Sequence, residues 1–261
     1  MIDGRAIVDP SAKLGDNVSI GPWTFVGPDV EIGDNVSIAS HVVVRGPTKI
    51  GSGVKIYQFS TVGEDTPAFA YAGEETYLEI GDNTVIREGV TIHRGMVKGG
   101  IGRTAVGANC LLMAYVHIGH DCLVGDHVVM ANNASVAGHV VVGDYANFGG
   151  YSGVAQFRSI GAYTHIAAMS LVLKDVPTYM TVGGNPAAAI GLNTEGMKRR
   201  NYANETTAAL KQAHKTVYRS GLTVADALSA LGELRQQHAQ VDEFAQSIES
   251  SEWGIIRPRT K

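Results

Sequence analysis

Leu14-Gly15-Asp16-Asn17-Val18-Ser19-Ile20-Gly21-Pro22-Trp23-Thr24-Phe25-Val26-Gly27-Pro28-Asp29-Val30-Glu31-Ile32-Gly33 repeats one rule: an aliphatic residue followed by glycine at every sixth position. The aliphatic beat continues through Ile38, Val44, Ile50, Ile56 and Val62 and returns in phase at Ile80, Ile86 and Ile92. A shifted phase then carries it from Val106 through Leu112, Ile118, Val124, Met130, Val136, Val142, Phe148, Val154, Ile160 and Ile166 to Val172. A period of six suits neither an amphipathic helix nor a half-buried strand, so it marks an internal repeat. Each hexad reads as a very short strand whose aliphatic residue points inward, followed by a tight turn where Gly or Asn-type residues accept positive φ. Small residues at the fifth position of the hexad, such as Val18, Ser60 and Ala134, also point inward. Three such strands close a triangular coil of roughly 18 residues, and stacked coils bury one aliphatic column. The fold expected is mainly β: a parallel β-helix over residues 1–192.

Residues 64–79 and 94–104 leave the hexad rule and should project from the prism as loops, where functional sites are commonly built. From about Asn193 helical spacing takes over: Leu210, Ala213 and Val217, then Thr223 with Asp226 as a capping-box-like start ahead of Ala227, Leu228 and Leu231. A third run holds Val241, Phe244, Ala245 and Ile248, so residues 193–261 read as a small helical C-terminal domain. That tail carries ten Lys and Arg against eight Asp and Glu on an otherwise acidic chain, which suits an acidic partner.

Composition narrows the function classes. Glycine is 32 of 261 residues, about 12% where ~7% is usual, and aromatics are only 7%. This is a chain of turns around small aliphatic side chains. A formal net charge of −4 gives no argument for nucleic acid or a membrane surface as partner. No run approaches the ~18 apolar residues of a membrane span. Cys110 and Cys122 form no CxxC pair, and Met1-Ile2-Asp3-Gly4-Arg5 lacks the apolar run of a signal peptide. The expectation is a soluble, reduced, cytoplasmic protein.

Histidines are the residues to weigh for chemistry. Of nine, His117, His120, His127, His139 and His165 fall in the second hexad array. His120 and His139 are about one coil apart and should lie on neighbouring rungs of one face. The alternative for any one of them is that an exposed turn simply accepts a polar residue.

The segment Ala114-Tyr115-Val116-His117-Ile118-Gly119-His120-Asp121-Cys122 does not stand alone. With Ile92-His93-Arg94-Gly95, Ala131-Asn132-Asn133-Ala134, Ala137-Gly138-His139-Val140 and Asn193-Thr194-Glu195-Gly196-Met197-Lys198-Arg199-Arg200, it resembles one family. That family is the acyl-carrier-protein-dependent UDP-N-acetylglucosamine O-acyltransferases of lipid A biosynthesis, and the likeness covers essentially the whole chain. It implies a left-handed coil, an exception to the right-handed crossover preference, and a homotrimer with sites between adjacent subunits. It also implies transfer of a (3-hydroxy)acyl chain from acyl carrier protein to the 3-position of UDP-N-acetylglucosamine. His120 would take the hydroxyl proton, Asp121 would orient the ring, and the Gly138 N–H would bind the oxyanion. His117, His139 and Gln156 would line the cleft. Asn193, Glu195, Arg199 and Arg200 would contact the nucleotide end, where arginine beside a diphosphate is sensible on charge grounds alone. The bland alternative for Lys198-Arg199-Arg200 is the solvated start of a helix. Ala168 would stand at the position that limits acyl length, its small side chain admitting a longer chain. No metal and no cofactor beyond the acyl-carrier-protein thioester is implied.

The sequence departs from the family pattern twice. Ala68-Phe69-Ala70-Tyr71 stands where Asp-x-Lys-Tyr is usual, and Val154-Ala155-Gln156-Phe157 where Val-His-Gln-Phe is usual. These substitutions leave a second reading open: a diverged paralogue that acylates another nucleotide sugar, on oxygen or nitrogen, or takes an acyl-coenzyme A. A zinc lyase with His117, His120 and His139 as ligands and an inactive scaffold are the remaining alternatives.

Overall fold

The computed structural model describes residues 1–259. Three parallel sheets of nine, eight and ten strands form the faces of a triangular prism, and successive strands of the chain fall on the three faces in rotation. Most strands are two residues long. Ser19–Ile20 pairs with Ser37–Ile38 eighteen residues on, and Leu14 stands in register with Ile32. In each pair the second residue faces inward, so Ile20, Val26, Ile38, Val44, Ile92, Ile118, Met130 and Val136 are all at most 2% exposed. Inward residues at the fifth position supply the rest of the column, and their hydroxyls, that of Thr164 excepted, find backbone partners: Thr24 Oγ1 donates to the Ala39 carbonyl at 2.6 Å and Thr84 Oγ1 to that of Gly107 at 2.8 Å. A buried hydroxyl so bonded avoids the desolvation cost of an orphan.

The corners differ from the sequence expectation in a physically useful way. The glycine that follows each aliphatic residue is not the left-handed residue of the turn. A Cβ on Gly21 would lie 2.7 Å from the Ser40 nitrogen, and one on Gly119 would lie 2.7 Å from the Gly138 nitrogen. Glycine is there because consecutive coils touch backbone to backbone. The left-handed position comes later in the turn. Asn holds it at 17, 35, 83, 109 and 133, but aromatic rings hold it at Trp23, Phe59, Tyr115, His127, His139, Tyr145, Tyr151, Phe157, Tyr163 and Tyr179. A left-handed residue with a Cβ costs about 1–2 kcal/mol, and where rings follow one another at the coil repeat their stacking offsets it, as between His139 and Phe157 at 4.4 Å.

Two insertions break the prism where the hexads lapse. Thirty residues separate the register partners Val62 and Ile92, where eighteen is the rule. The projecting segments are shorter than the expected 64–79 and 94–104, because strands Thr61–Glu64, Tyr77–Ile80 and Arg103–Val106 extend to four residues and recruit their margins into the sheets. The loops proper are residues 65–76 and 94–102.

Residues 173–192, taken with the coil in the sequence reading, end it differently. On the eight-stranded face only an isolated bridge joins Ile160 to Val176, because the Ser159 N–H on one side goes to the Asp175 carboxylate and the Thr178 N–H on the other to the Ser247 hydroxyl. Met180–Gly183 pairs parallel with the coil, and Ala188–Leu192 turns back antiparallel to it. Five helices follow among the described residues: α1 (Thr194–Arg199), α2 (Asn204–Arg219), α3 (Val224–Ala230), α4 (Gly232–Gln237) and α5 (Ala239–Glu249). Thr223 caps α3 by accepting the Asp226 N–H at 3.2 Å. Leu210, Ala213, Val217, Ala227, Leu231, Val241, Phe244, Ala245 and Ile248 bury their apolar faces. Ser251 Oγ donates to Asp175 at 2.7 Å, and the Tyr179 hydroxyl donates to Glu243, pinning these helices to the last coil. No described helix is long and apolar enough to cross a membrane.

Candidate active site

His120 and Asp121 occupy the corner between the nine-stranded and eight-stranded faces, in the turn between strands His117–Ile118 and Leu123–Val124. His120 Nδ1 lies 2.7 Å from Asp121 Oδ2, with the ring 12% exposed and the carboxylate fully buried. An ionised carboxylate only accepts, so this pair makes Nδ1–H the donor and leaves Nε2 with a free lone pair. That Nε2 faces Gly138 one coil on, where a Cβ would approach it to 2.6 Å. The Gly138 N–H has no acceptor among the described residues. His139 packs edge-on to His120 at 4.8 Å, and Gln156, exposed, follows Gly138 at the coil repeat on the same corner. His117, on the nine-stranded face, bonds Thr91 Oγ1 at 2.8 Å through Nδ1 and meets His93 edge-on at 5.5 Å. Burial first, then neighbouring His93 and His120, lowers the pKa of His117; burial also lowers that of His139. Both are held toward the neutral form.

Asp121 also anchors the second loop. Its carboxylate accepts the backbone N–H groups of Met96 (3.1 Å), Ile101 (2.8 Å) and Gly102 (3.1 Å). The second loop in turn grips the first. Arg94, 6% exposed, donates to the Gly63 carbonyl, to Asp65 and to the Tyr71 hydroxyl at 3.2 Å. Thr66 Oγ1 donates to the Arg94 and Gly95 carbonyls, and Glu74 accepts the Val97 N–H at 3.2 Å. Both loops are therefore tied through Asp121 to the His120 ring. Cys122, the next residue, is no rival nucleophile: burial pushes its thiol up to about 12, and Sγ donates to the Ala137 carbonyl.

The other predicted residues stand elsewhere. Asn193 caps α1, accepting the Gly196 N–H at 2.9 Å and donating to the Tyr163 carbonyl. With Glu195, Arg199 and Arg200 it lines a cavity of about 680 Å³ at the next corner, between the eight-stranded and ten-stranded faces. Lys198, Arg199 and Arg200 thus close a helix and do not start one. Of the histidines grouped in the sequence, His127 and His165 belong to this cavity, His120 and His139 to the first corner, and His117 to the nine-stranded face. Burial, then Arg199, lowers the His165 pKa. Tyr145 and Asn147, which sequence reasoning missed, also line it; the signal was the eighteen-residue spacing of His127, Tyr145 and Tyr163. Ala168 is exposed at the third corner, beside the 75% exposed Met169. One chain therefore does not bring His120, the arginines and Ala168 together. Nor does it gather His117, His120 and His139 as zinc ligands: the cluster of possible ligand atoms is His120, Asp121 and His139, and the Asp121 oxygens already serve His120 and the loop. Of the departures, Ala68 and Ala70 flank a fully exposed Phe69 in the first loop, and Ala155 stacks in register with Ala137 on the corner of His120.

A hexapeptide coil with a His–Asp pair against a glycine at one corner and an arginine-lined cavity at the next defines a hexapeptide-repeat transferase. The description "bacterial transferase hexapeptide (six repeats)" matches residues 11–46 and 103–138, and "UDP N-acetylglucosamine O-acyltransferase; domain 2" matches residues 175–256. The acyl-(acyl-carrier-protein)–UDP-N-acetylglucosamine O-acyltransferase of Pseudomonas putida (strain W619) is 52% identical over 256 residues, 98% of this chain and 99% of the relative. Among solved structures, LpxA from Acinetobacter baumannii superposes with a TM-score of 0.96 at 46% identity, over 98% of this chain and 99% of that one. The Francisella novicida UDP-N-acetylglucosamine acyltransferase does so with a TM-score of 0.97 at 38% identity, over 100% and 95%. The chain belongs to the UDP-N-acetylglucosamine O-acyltransferase family, and its coil is a left-handed parallel β-helix.

Proposed function

We propose that this chain moves a 3-hydroxyacyl group from acyl carrier protein to the 3-hydroxyl of UDP-N-acetylglucosamine, the first step of lipid A biosynthesis, in the cytoplasm. The observation that carries the reading is the His120 ring, fixed on buried Asp121 with Nε2 open toward Gly138. Nε2 takes the sugar hydroxyl proton as the oxygen attacks the thioester carbonyl. The oxyanion is met by the Gly138 N–H. Collapse breaks the C–S bond, and the imidazolium returns its proton to the departing thiolate. Asp121 stabilises the imidazolium while it lasts. The chemistry needs neither a covalent enzyme intermediate nor a metal.

Because His120 and the cavity of Arg199 and Arg200 lie on different corners, the working site takes its base from one subunit and its nucleotide cavity from the next, in a homotrimer. Arg199 and Arg200 face the diphosphate, Asn193 and Glu195 the nucleoside, His117, His139 and Gln156 the sugar and acyl group. Ala168 admits a long chain, so Ala168→Met should shift preference to shorter donors, read as product masses from a mixed-donor assay; an unchanged profile would remove it from that role.

A second reading is favoured by Ala68, Ala70 and Ala155, which lack the charges and the imidazole usual there: another nucleotide sugar, on oxygen or nitrogen, or an acyl-coenzyme A donor. One assay separates the two. UDP-N-acetylglucosamine with a panel of hydroxyacyl-carrier-protein and acyl-coenzyme A donors should give an acylated product from the carrier-protein donors, seen by mass spectrometry and absent with His120→Ala. No product, while calorimetry still detects nucleotide-sugar binding, would overturn the first reading in favour of the second.

A further inference from the structure

Four left-handed corner residues at the edge of the arginine cavity are aromatic: His127, Tyr145, Tyr163 and Tyr179. Their rings form one continuous stack, with centroids 4.6, 5.0 and 5.3 Å apart and planes within 3°, 9° and 8° of parallel. The base of the stack is fixed. Tyr179 is fully buried with its hydroxyl on Glu243, and Tyr202 packs edge-on to Tyr163 and Tyr179 at 5.8 and 6.1 Å. Against the upper rings lies Arg200. Its guanidinium carbon is 4.5 Å from the Tyr145 centroid and 5.5 Å from that of Tyr163. Among the described residues the guanidinium makes one hydrogen bond, a 3.5 Å contact to the Gly196 carbonyl of its own helix.

An exposed arginine at a helix end samples many rotamers, and ordering it for a ligand costs side-chain entropy. A guanidinium laid flat on aromatic faces is already ordered, and its N–H donors, which lie in its plane, stay free for an anion. We propose that Tyr145, supported by Tyr163 beneath it, is a positioning residue for Arg200: the ring stack presents the guanidinium to an anionic diphosphate in the cavity. This rests on the reading of Arg200 as a diphosphate contact. It adds a reason for stacked rings at a position where Asn would serve the backbone as well, as it does at 17, 35, 83, 109 and 133.

That comparison supplies the variant. Tyr145→Asn removes the ring yet suits the left-handed backbone, and Tyr145→Phe keeps the stacking face. With UDP-N-acetylglucosamine as substrate, Tyr145→Asn should raise KM about fivefold to tenfold with kcat nearly unchanged, and Tyr145→Phe should stay within about twofold of the native chain. In an Arg200→Met background the Asn substitution should add less than about twofold, because the group it positions is gone. Calorimetry supplies a readout that needs no turnover: Tyr145→Asn should weaken UDP binding and leave uridine binding unchanged. Equal weakening of UDP and uridine, a full effect in the Arg200→Met background, or Tyr145→Phe as impaired as Tyr145→Asn would each overturn the proposal. If Arg200→Met itself leaves UDP affinity unchanged, the reading of Arg200 is what fails, and the positioning role falls with it.

Discussion

Gly138 measures how little room the corner of His120 leaves. With a Cβ due to lie 2.6 Å from His120 Nε2, even alanine has to displace the ring. The Gly138→Ala chain should lose about a hundredfold in kcat, since a misplacement of about 1 Å costs that much. Steady-state kinetics decides it, and activity within threefold of the native chain would mean that His120 does not work against residue 138. At this scale the sequence was informative where the coil repeat is simple arithmetic: His120, Gly138 and Gln156 fall eighteen residues apart, and the resemblance supplied their roles. It was silent on the second task of Asp121. That carboxylate is met by the N–H groups of residues 96, 101 and 102, and a backbone donor leaves no mark on residue identity.

The two loops are the elements that distinguish this coil from a bare prism, and Arg94 is the strut between them. Its guanidinium is buried while its partner Asp65 is 57% exposed, so breaking the pair costs less than a fully buried ion pair would. Arg94→Met should release the loop of residues 65–76: faster limited proteolysis within it, and a fall in kcat/KM of about tenfold, while the coil's melting temperature moves by only a few degrees. A loop that stays resistant to protease would refute the strut. Hexad arithmetic located both loops to within a few residues. Its error lay in the margins, where Glu64, Tyr77 and Arg103 join lengthened strands. The corners were harder to read, because a tyrosine or histidine in left-handed backbone is stabilised by a ring one coil away and by nothing in its own hexad. Residues 173–192 likewise keep an apolar pattern, while the last strand, Ala188–Leu192, pairs antiparallel after the turn that follows Gly183.

For the whole molecule, histidines held toward the neutral form should set a pH dependence. His117, His139, His165 and His214 all have lowered pKa values, burial being the first cause in each. Each takes up a proton more readily once unfolded, so the unfolded chain gains protons first as the pH drops below about 6.5. The stability these groups contribute is complete above that value and is lost on acidification toward their folded values. The melting temperature should fall between pH 7 and pH 5, and less steeply in His214→Gln, where the imidazole stacked on Tyr218 is gone. An unaltered slope would show that His214 does not titrate with unfolding. At the same scale, His120 and the cavity of Arg199 and Arg200 lie on separate corners, so the proposed site requires a neighbour. The measurement that bears most directly on this account uses two differently tagged chains, His120→Ala and Arg199→Met/Arg200→Met, co-expressed and purified through both tags. Each parent should give little acylated UDP-N-acetylglucosamine at low substrate, whereas every mixed trimer should regain one of its three sites, the one that pairs an intact His120 with a neighbour's intact arginines. Mixed assemblies as inactive as their parents would contradict it.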